Sequence, residues 1–407
     1  MKKIILIICW ALAGLGLYSC SLDEPSYGKT TSDNYYQKES DIEQALTGAY
    51  LQLRTTWNEY ALNHYFIGDC TTDDALKGGG GDGDRGEVRD LANFTIYTTN
   101  GEVGRRWEIL YRLINRCNDV IHYAPNAIGD KETLTRYANE AKALRAFGYY
   151  CLVTTFGEVP LLTEPMLPAE ILMVPRSPVE KVYEFIIEDL TAASELPAKG
   201  FYGAEDAYRV TRGFAKTMLA KTYMFKGDFS LAEAVLHDIV EVDKDYSLLS
   251  DYGMNWRQEY ENGTESVFEI SNKVYDKTIA TGTNVPHFFT SRRVSGYQGY
   301  GFHVPTQDLY NAFDTDDPRI TYVFTQTGDR YVGDAFQDFL LSHKPKTQAQ
   351  RQLEELAAQV RAVLAHYPPD DPAVAALKGS EAYRKVAWIL DQEDSAAAGA
   401  PEEPAAP

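Results

Sequence analysis

The stretch from Ser40 to Asp245 repeats apolar residues at the spacing of an α-helix, and this pattern constrains the fold most strongly. Apolar side chains recur three or four positions apart, which places them on one face of each helix. The segments that show this pattern are Ile42–Trp57, Trp107–Ile121, Leu134–Leu152 and Val182–Leu190. The chain is therefore predicted to be all-α over most of its length.

Helix starts are marked by serines that precede a glutamate by three positions. This spacing is typical of a capping box, in which the serine accepts from a backbone N–H and the glutamate bonds back to the cap. The pairs are Ser40 with Glu43, Ser177 with Glu180 and Ser230 with Glu233. Pro178 stands where a first helical residue is expected.

The clearest supersecondary unit runs from Val210 to Val242. One predicted helix ends at Gly227 and a second begins at Ser230, and small residues such as Ala215 allow the two to approach closely. The unit resembles a tetratricopeptide hairpin. Because the sequence does not repeat at one strict period, we expect irregular repeats interrupted by long insertions.

The helical spacing of apolar residues ends at about Glu265. Val267, Phe268 and Ile270 predict a short strand, and Lys277–Tyr300 is rich in Gly, Thr, Ser and aromatic residues without helical periodicity. Irregular segments of this kind commonly carry function on a rigid scaffold.

The N-terminus has the pattern of a bacterial lipoprotein signal. Lys2 and Lys3 precede the apolar run Ile4–Leu17, which is too short to span a bilayer and ends close to Cys20. We predict a signal peptide at residues 1–19, lipidation of Cys20 and a lipid-anchored linker at residues 20–39. Membrane attachment is expected by the lipid alone; the alternative is an ordinary secretory signal with a chance cysteine.

Amino-acid composition limits the classes of partner and ligand that the chain is expected to bind. The formal net charge of −20 disfavours nucleic acid and anionic lipid surfaces. The 28 tyrosines suit stacking on sugars or contact with another protein, although helix packing is the simpler role for any one of them. Cys70, Cys117 and Cys151 are odd in number and lack metal-ligand spacing, which favours neither a disulfide framework nor a zinc site.

No catalytic or cofactor motif is found in the sequence. HExxH, G-x-S-x-G and CxxC are absent, so we predict no catalytic residues, no metal ligands and no cofactor. Gly81, Gly83 and Gly86 spell GxGxxG without a preceding apolar strand, which indicates a flexible loop. Asp82 and Asp84 fit a calcium-binding loop poorly. A structural calcium ion bound by residues of separate loops stays an open alternative, and the sequence does not locate its site. A glycosidase built from two distant acidic residues is a weaker alternative.

Several specific motifs follow one another along the chain. An acidic stretch follows Cys20, and Asp317–Arg319 form a D-P-R element. The most specific motif residues are Trp107, Tyr111, Ile114, Asn115 and Asn118, followed by Glu140, Ala141, Leu144, Arg145, Ala146, Phe147, Tyr149, Tyr150, Leu152, Phe156, Gly157, Val159 and Pro160. In this order the motifs resemble those of the SusD/RagB-like outer-membrane lipoproteins of Bacteroidetes, and the resemblance covers residues 1 to about 330.

The resemblance implies an all-α fold of tetratricopeptide-like repeats with long irregular ligand-binding insertions and little β-structure. It also implies a protein that is exposed at the surface of the outer membrane and performs no chemistry. Such proteins deliver oligo- or polysaccharide to a SusC-like TonB-dependent transporter. The alternative function is a helical-repeat lipoprotein for protein–protein interaction or peptide capture.

The predicted domains follow the same resemblance. Residues 40–334 form the SusD-like helical domain, with a repeat scaffold at about 40–260 and a loop-rich ligand segment at about 265–320. Residues 335–390 are an atypical helical tail, and residues 391–407 are predicted to be disordered. The Ala-rich composition of the tail differs from the preceding chain and suggests a truncation, frameshift or fusion.

Sugar binding requires aromatic faces beside polar side chains. Two segments supply this mixture, Trp57–Tyr97 and Phe288–His303, and the second is favoured because its aromatics fill no helical stripe. Packing or transporter contact is the alternative role for each residue. The predicted glycan-binding residues are Tyr297, Tyr300, Phe289, Arg292, Gln298, Trp57 and Asp74.

Overall fold

A computed structural model describes residues 35–54, 60–272, 285–290, 299–314, 316–320, 348–366, 368, 371–380 and 383–384. The chain divides into two compact units, which we describe separately. The first comprises residues 1–292 and 299–309, and the second comprises residues 293–298 and 310–407.

The first unit is mainly helical, as predicted. Its helices are α1 (Glu39–Tyr50), α2 (Tyr60–Gly68), α3 (Gly86–Ala92), α4 (Gly101–Tyr123), α5 (Lys131–Phe156), α6 (Pro168–Ile171), α7 (Val179–Ala193), α8 (Arg212–Lys226), α9 (Phe229–His237) and α10 (Val285–Phe289). Helix α11 (Gln307–Ala312) contains the boundary between the two units. The strands are β1 (Ala75–Gly78), β2 (Val159–Pro160), β3 (Arg176–Ser177) and β4 (Phe302–Pro305).

Successive helices form the scaffold by packing on their neighbours. Helix α4 packs on α5, α5 on α7, α7 on α8 and α8 on α9, while α1 packs on both α4 and α5. One continuous hydrophobic cluster fills the space between them, from Ile42 on α1 to Leu219 on α8. We call this cluster the helical core.

Helix ends follow local chemistry, but the serine starts were predicted wrongly. Helix α1 begins at Glu39, and the Asp41 carboxylate accepts the backbone N–H of Lys38 at 3.1 Å. Helix α7 begins after Pro178, because the Ser177 backbone is paired with Val159 in the β2–β3 ladder. Likewise, α9 begins at Phe229 after Asp228, ahead of Ser230.

Other ends agree with expectation. Gly227 ends α8 with a φ of 88°, a left-handed conformation that glycine adopts at little cost. Asn100 caps α4, because its Oδ1 accepts the backbone N–H groups of Glu102 at 3.0 Å and Val103 at 3.2 Å.

A buried ion pair ties the helical core together. The Arg145 guanidinium on α5 donates to both carboxylate oxygens of Asp189 on α7, each at 2.8 Å. It also donates to Asn118 Oδ1 at 2.8 Å and to the Thr163 carbonyl at 2.9 Å. Burial raises the pKa of Asp189, and Arg145 opposes that rise. These contacts join three helices to the segment that follows α5.

A second buried network surrounds Glu140 on α5. Its carboxylate accepts from the hydroxyls of Tyr50 at 2.7 Å and Tyr202 at 3.0 Å. Arg209 approaches the same carboxylate at 3.4 Å and pairs with Glu43 at 2.7 Å. The family-like motif residues Glu140 and Arg145 therefore hold the scaffold together.

The strand predicted at Val267, Phe268 and Ile270 is not formed. These residues lie outside the named strands, and their side chains pack against the helical core, with Phe268 beside Phe214 at 4.9 Å between ring centroids. The β-structure comes instead from two short antiparallel pairs, β1 with β4 and β2 with β3. Part of the segment predicted to be irregular forms helix α10.

The second unit contains α12 (Gln348–His366) and α13 (Pro372–Lys378) in its described part. Helix α12 lies within residues 335–390, where the sequence predicts an atypical helical tail. Ala357 and Val360 are buried on it, and Leu377 packs against them. Within the residues described above, no helix is both long and apolar enough to cross a membrane.

Candidate functional site

A second hydrophobic cluster of the first unit lies apart from the helical core and is rich in aromatic rings. The Phe66 ring centroid lies 5.8 Å from that of Phe302 and 6.1 Å from that of Phe288. We call this group the aromatic cluster. Its buried members are Leu62, Phe66, Cys70, Val88, Leu91, Phe288 and Phe302.

Partly exposed aromatic side chains border the aromatic cluster, and we call them the aromatic rim: Tyr65, Phe289, Tyr300 and His303. The Phe289 ring lies 5.0 Å from Tyr65 and 5.2 Å from His303 between centroids. Tyr300 packs on the buried ring of Phe288 at 5.3 Å. The rim therefore offers several partly exposed aromatic rings close together.

Backbone pairing explains how segments distant in sequence reach the same place. In the β1–β4 ladder Ala75 pairs with Pro305 and Gly78 with Phe302. Gly78 has a φ of 65°, and a Cβ there would lie 2.2 Å from the Gly301 carbonyl oxygen, so glycine is required. The Tyr300 N–H donates to the His287 carbonyl at 2.9 Å, which attaches α10 to the strand that follows.

The glycine-rich loop after β1 is organised by a lysine. The Lys77 ammonium donates to the carbonyls of Gly81 at 2.8 Å and Asp84 at 2.6 Å. The Asp84 carboxylate accepts the Gly80 N–H at 2.7 Å. The Lys77 ammonium therefore supplies the positive charge inside this loop.

Arg85 connects the loop to the aromatic cluster. Its guanidinium lies over the rings of Phe66 and Phe288, 5.1 Å and 5.0 Å from their centroids, a cation–π arrangement. It also donates to the buried Glu102 carboxylate at 2.9 Å. Arg85 thereby joins α3, α2, α10 and α4.

An acidic side chain faces the histidine of the rim. Asp69 follows α2, and its Oδ2 lies 3.0 Å from His303 Nε2. Burial raises the pKa of the Tyr65 hydroxyl, and the negative charge of Asp69 adds to the rise. Tyr65 therefore remains a neutral hydrogen-bond donor over the physiological range.

The structure locates three of the seven predicted glycan-binding residues. Phe289 and Tyr300 both belong to the aromatic rim. Asp74 is exposed at the opposite end of the β1–β4 ladder from Tyr300, because it precedes Ala75 while Tyr300 precedes Phe302. The other predictions lie outside the described residues: Trp57, Arg292, Tyr297, Gln298 and the lipidation site Cys20.

Sequence reasoning missed Tyr65, Asp69 and His303 as one group. Tyr65 and Asp69 are four positions apart, which is a helical signal for a shared face, but nothing in the sequence links them to His303. Two highly exposed aromatics after α3, Phe94 at 66% and Tyr97 at 65%, fall within the candidate segment Trp57–Tyr97 but were not among the predicted binding residues. Phe94 has a positive φ of 55°, unusual for a bulky residue.

Within the described ranges, no group of three or more His, Cys, Asp or Glu side chains is arranged to hold a metal ion. Cys70, Cys117 and Cys151 are free and buried. Burial raises the pKa of the Cys70 thiol to about 12, with Asp69 adding to the rise, so a reactive thiolate is disfavoured there.

Comparison with known proteins gives the family. Residues 22–224 match the model of a family described as SusD-like, starch-binding and associating with the outer membrane. The chain belongs to the SusD-like family. A relative, the SusD-like protein P2 of Formosa agariphila, is 27% identical over 80% of this chain and 66% of its own length.

Solved structures of surface glycan-binding proteins share the fold of this SusD-like chain. Surface glycan-binding protein A of Bacteroides fluxus is 26% identical over 69% of this chain and 62% of its own, with a TM-score of 0.60. The namesake protein of Bacteroides thetaiotaomicron, solved with laminarihexaose, is 25% identical over 70% of this chain and 63% of its own, with a TM-score of 0.60.

This SusD-like chain spans about two thirds of the length of that curated relative and about half the length of two others. The names of the family and of the two solved structures describe binding of glycans rather than catalysis, which agrees with the prediction of a non-enzymatic protein.

Proposed function

We propose that this SusD-like protein binds an oligo- or polysaccharide at the aromatic rim and delivers it to a SusC-like TonB-dependent transporter. The observation that carries the proposal is the concentration of partly exposed aromatic side chains beside polar groups in the first unit. The laminarihexaose complex of a protein with this fold supports the ligand class.

Stacking supplies the main attraction in this proposal. The C–H face of a sugar ring is apolar and packs on an aromatic ring, while hydroxyl groups need hydrogen-bond partners around that ring. Phe289 is the expected stacking surface because Tyr65 and His303 flank it. Tyr300 is expected to extend the surface toward the neighbouring sugar unit.

Attachment at the cell surface is part of the proposal. The sequence around Cys20 supports a lipid anchor, and the family description supports association with the outer membrane. Capture and transfer without turnover suits such a location, because the partner transporter would take the intact glycan.

A second candidate function is protein–protein interaction. It is favoured by one observation, an apolar groove of about 450 Å³ formed by α8, α9 and the turn after α9, which includes Met224, Phe229, Leu236 and Val240. Because apolar surface of this kind commonly marks contact sites, a protein partner is the alternative to a glycan.

The test measures binding of soluble glycans to the lipid-free protein by affinity electrophoresis and calorimetry. Laminarin and starch are the first ligands. We expect Phe289→Ala to weaken binding at least tenfold, because about 1.4 kcal/mol of stacking is lost. Trp256→Ala is the matched control, since Trp256 is an exposed aromatic at 72% outside the rim.

Failure of a folded wild-type protein to bind any glycan would contradict the proposal and favour the second candidate. Equal weakening by the Phe289 and Trp256 substitutions would show that exposed aromatics act nonspecifically and that the rim is not the site.

A further inference from the structure

The positive charges of the β1–α3 segment, residues 75–92, all have partners within the protein. Every Lys and Arg of this segment is engaged by the protein: Lys77 with two loop carbonyls, Arg85 with Glu102, and Arg89 with Asp90 at 2.8 Å. Arg89 keeps 39% of its side chain exposed, but its charge is matched by the neighbouring Asp90 carboxylate. Anionic groups of a ligand would therefore meet no unmatched positive charge in this segment.

Carboxylates near this segment face the solvent instead. Asp73 and Asp74 are exposed just before β1, and Asp69 keeps 46% of its side chain accessible. Carboxylates repel a ligand that carries uronate or sulfate groups, whereas they accept hydrogen bonds from hydroxyl groups. Among the described residues, the exposed carboxylates near the rim thus favour an uncharged glycan.

His303 is held in an unusual backbone conformation at this position. Its φ is 59°, in the left-handed region that residues other than glycine seldom adopt. Within the described residues its buried Nε2 has no hydrogen-bond partner, although Asp69 Oδ2 is 3.0 Å away, because the approach lacks hydrogen-bond geometry. Strain together with an unpaired buried polar atom is characteristic of functional sites.

The surrounding rings position this pair for a ligand. The His303 ring packs against Phe289 at 5.2 Å and against Tyr65 at 6.3 Å between centroids. The Asp69 N–H donates to the Tyr65 carbonyl at 2.9 Å, which fixes Asp69 to the end of α2. A sugar stacked on Phe289 would place its hydroxyl groups near Asp69.

We infer that Asp69 and His303 form the specificity-determining pair of the rim, binding the hydroxyl groups of an uncharged glycan and disfavouring glycans that carry carboxylate or sulfate. This inference rests on the proposed function and narrows its ligand class. Asp69 accepts hydrogen bonds from the sugar, and His303 lies beside that carboxylate, where its buried Nε2 is left to bond a sugar hydroxyl.

The experiment compares two probes with the lipid-free protein, laminarihexaose as the neutral probe and hexagalacturonate as the anionic one. We expect the wild-type protein to bind the neutral probe at least tenfold more tightly. The preference should shrink at high salt, because screening weakens the repulsion by exposed carboxylates. Tighter binding of the anionic probe by the wild-type protein would overturn the inference.

Asp69→Asn is the decisive variant. It should weaken binding of the neutral probe at least tenfold and reduce the ratio of the two affinities, a change that a merely structural residue would not cause. Asp73→Asn is the matched control, because it removes one exposed carboxylate four positions away and should change the neutral affinity less than twofold. His303→Asn tests the partner while keeping a residue type that tolerates a positive φ; we expect a similar loss of neutral affinity.

The outcomes distinguish failure of the inference from failure of the proposed function. Thermal unfolding first shows that the Asp69→Asn variant is folded. If Phe289→Ala then weakens binding while Asp69→Asn keeps the wild-type affinity ratio, the inference is wrong and the proposed function stands. If the folded wild-type protein binds neither these probes nor any other glycan tested, the proposed function fails and the inference fails with it.

Discussion

The helical core and the aromatic cluster are built on opposite principles. The helical core joins helices that follow one another in the chain, and its buried charges are matched by hydrogen bonds, as in the Arg145–Asp189 pair. The aromatic cluster joins α2 and α3 to α10 and β4, which lie about 200 residues further along the chain. The first region therefore depends on local periodicity, whereas the second depends on a few long-range contacts.

The difference separates stability from recognition. Long helices that bury continuous stripes give a rigid base, and the residues of the family-like motif serve that base. The rings of the rim stay partly exposed to solvent and can contact a ligand. We expect substitutions in the helical core to act on folding and substitutions in the rim to act on binding.

The largest expected effect is that of Arg145→Met. It leaves the Asp189 carboxylate buried without its guanidinium partner, which costs about 3–5 kcal/mol of unfolding free energy. Chemical denaturation measures the loss. Lys181→Met is the control, because the Lys181–Glu184 pair is exposed and should contribute less than about 1 kcal/mol. Equal losses in the two variants would contradict a special role for the buried pair.

Arg85→Met is expected to loosen the aromatic cluster while sparing the helical core. The substitution removes the ion pair with Glu102 and both ring contacts, at a cost of about 2 kcal/mol. Hydrogen exchange should become faster at the amides of Tyr300 and Gly301, which attach β4 to α10, and stay unchanged within α5. Arg85→Lys keeps the charge but not the planar group, so an intermediate effect is expected.

Faster exchange throughout α5 in Arg85→Met would show that the two regions unfold together. The helical core and the aromatic cluster would then differ in the residues that build them but not in their stability.

The sequence allowed most of the helical core to be predicted, because periodic apolar residues are a local signal. Helix starts were less predictable: Ser40 and Asp41 are both suitable near a helix start, and only the structure shows that the Asp41 carboxylate bonds to Lys38. Phe289 and Tyr300 were found by composition. Tyr65, Asp69 and His303 were missed, because no local sequence pattern indicates that His303 lies close to Asp69 in the fold.

The smallest expected effect concerns Asn100, which lies where the two regions meet. Its Oδ1 caps α4, and its amide donates to the Glu87 carbonyl of α3 at 2.9 Å. Asn100→Ala loses the cap and should reduce the unfolding free energy by about 1 kcal/mol, whereas Asn100→Asp keeps the capping oxygen and loses only the bond to α3. Denaturation of both variants therefore separates the two contributions of Asn100 to the unfolding free energy. A larger loss in Asn100→Ala assigns most of the contribution to the cap of α4. Equal losses assign it to the bond with α3 and indicate that the aromatic cluster is attached to the scaffold mainly through that bond.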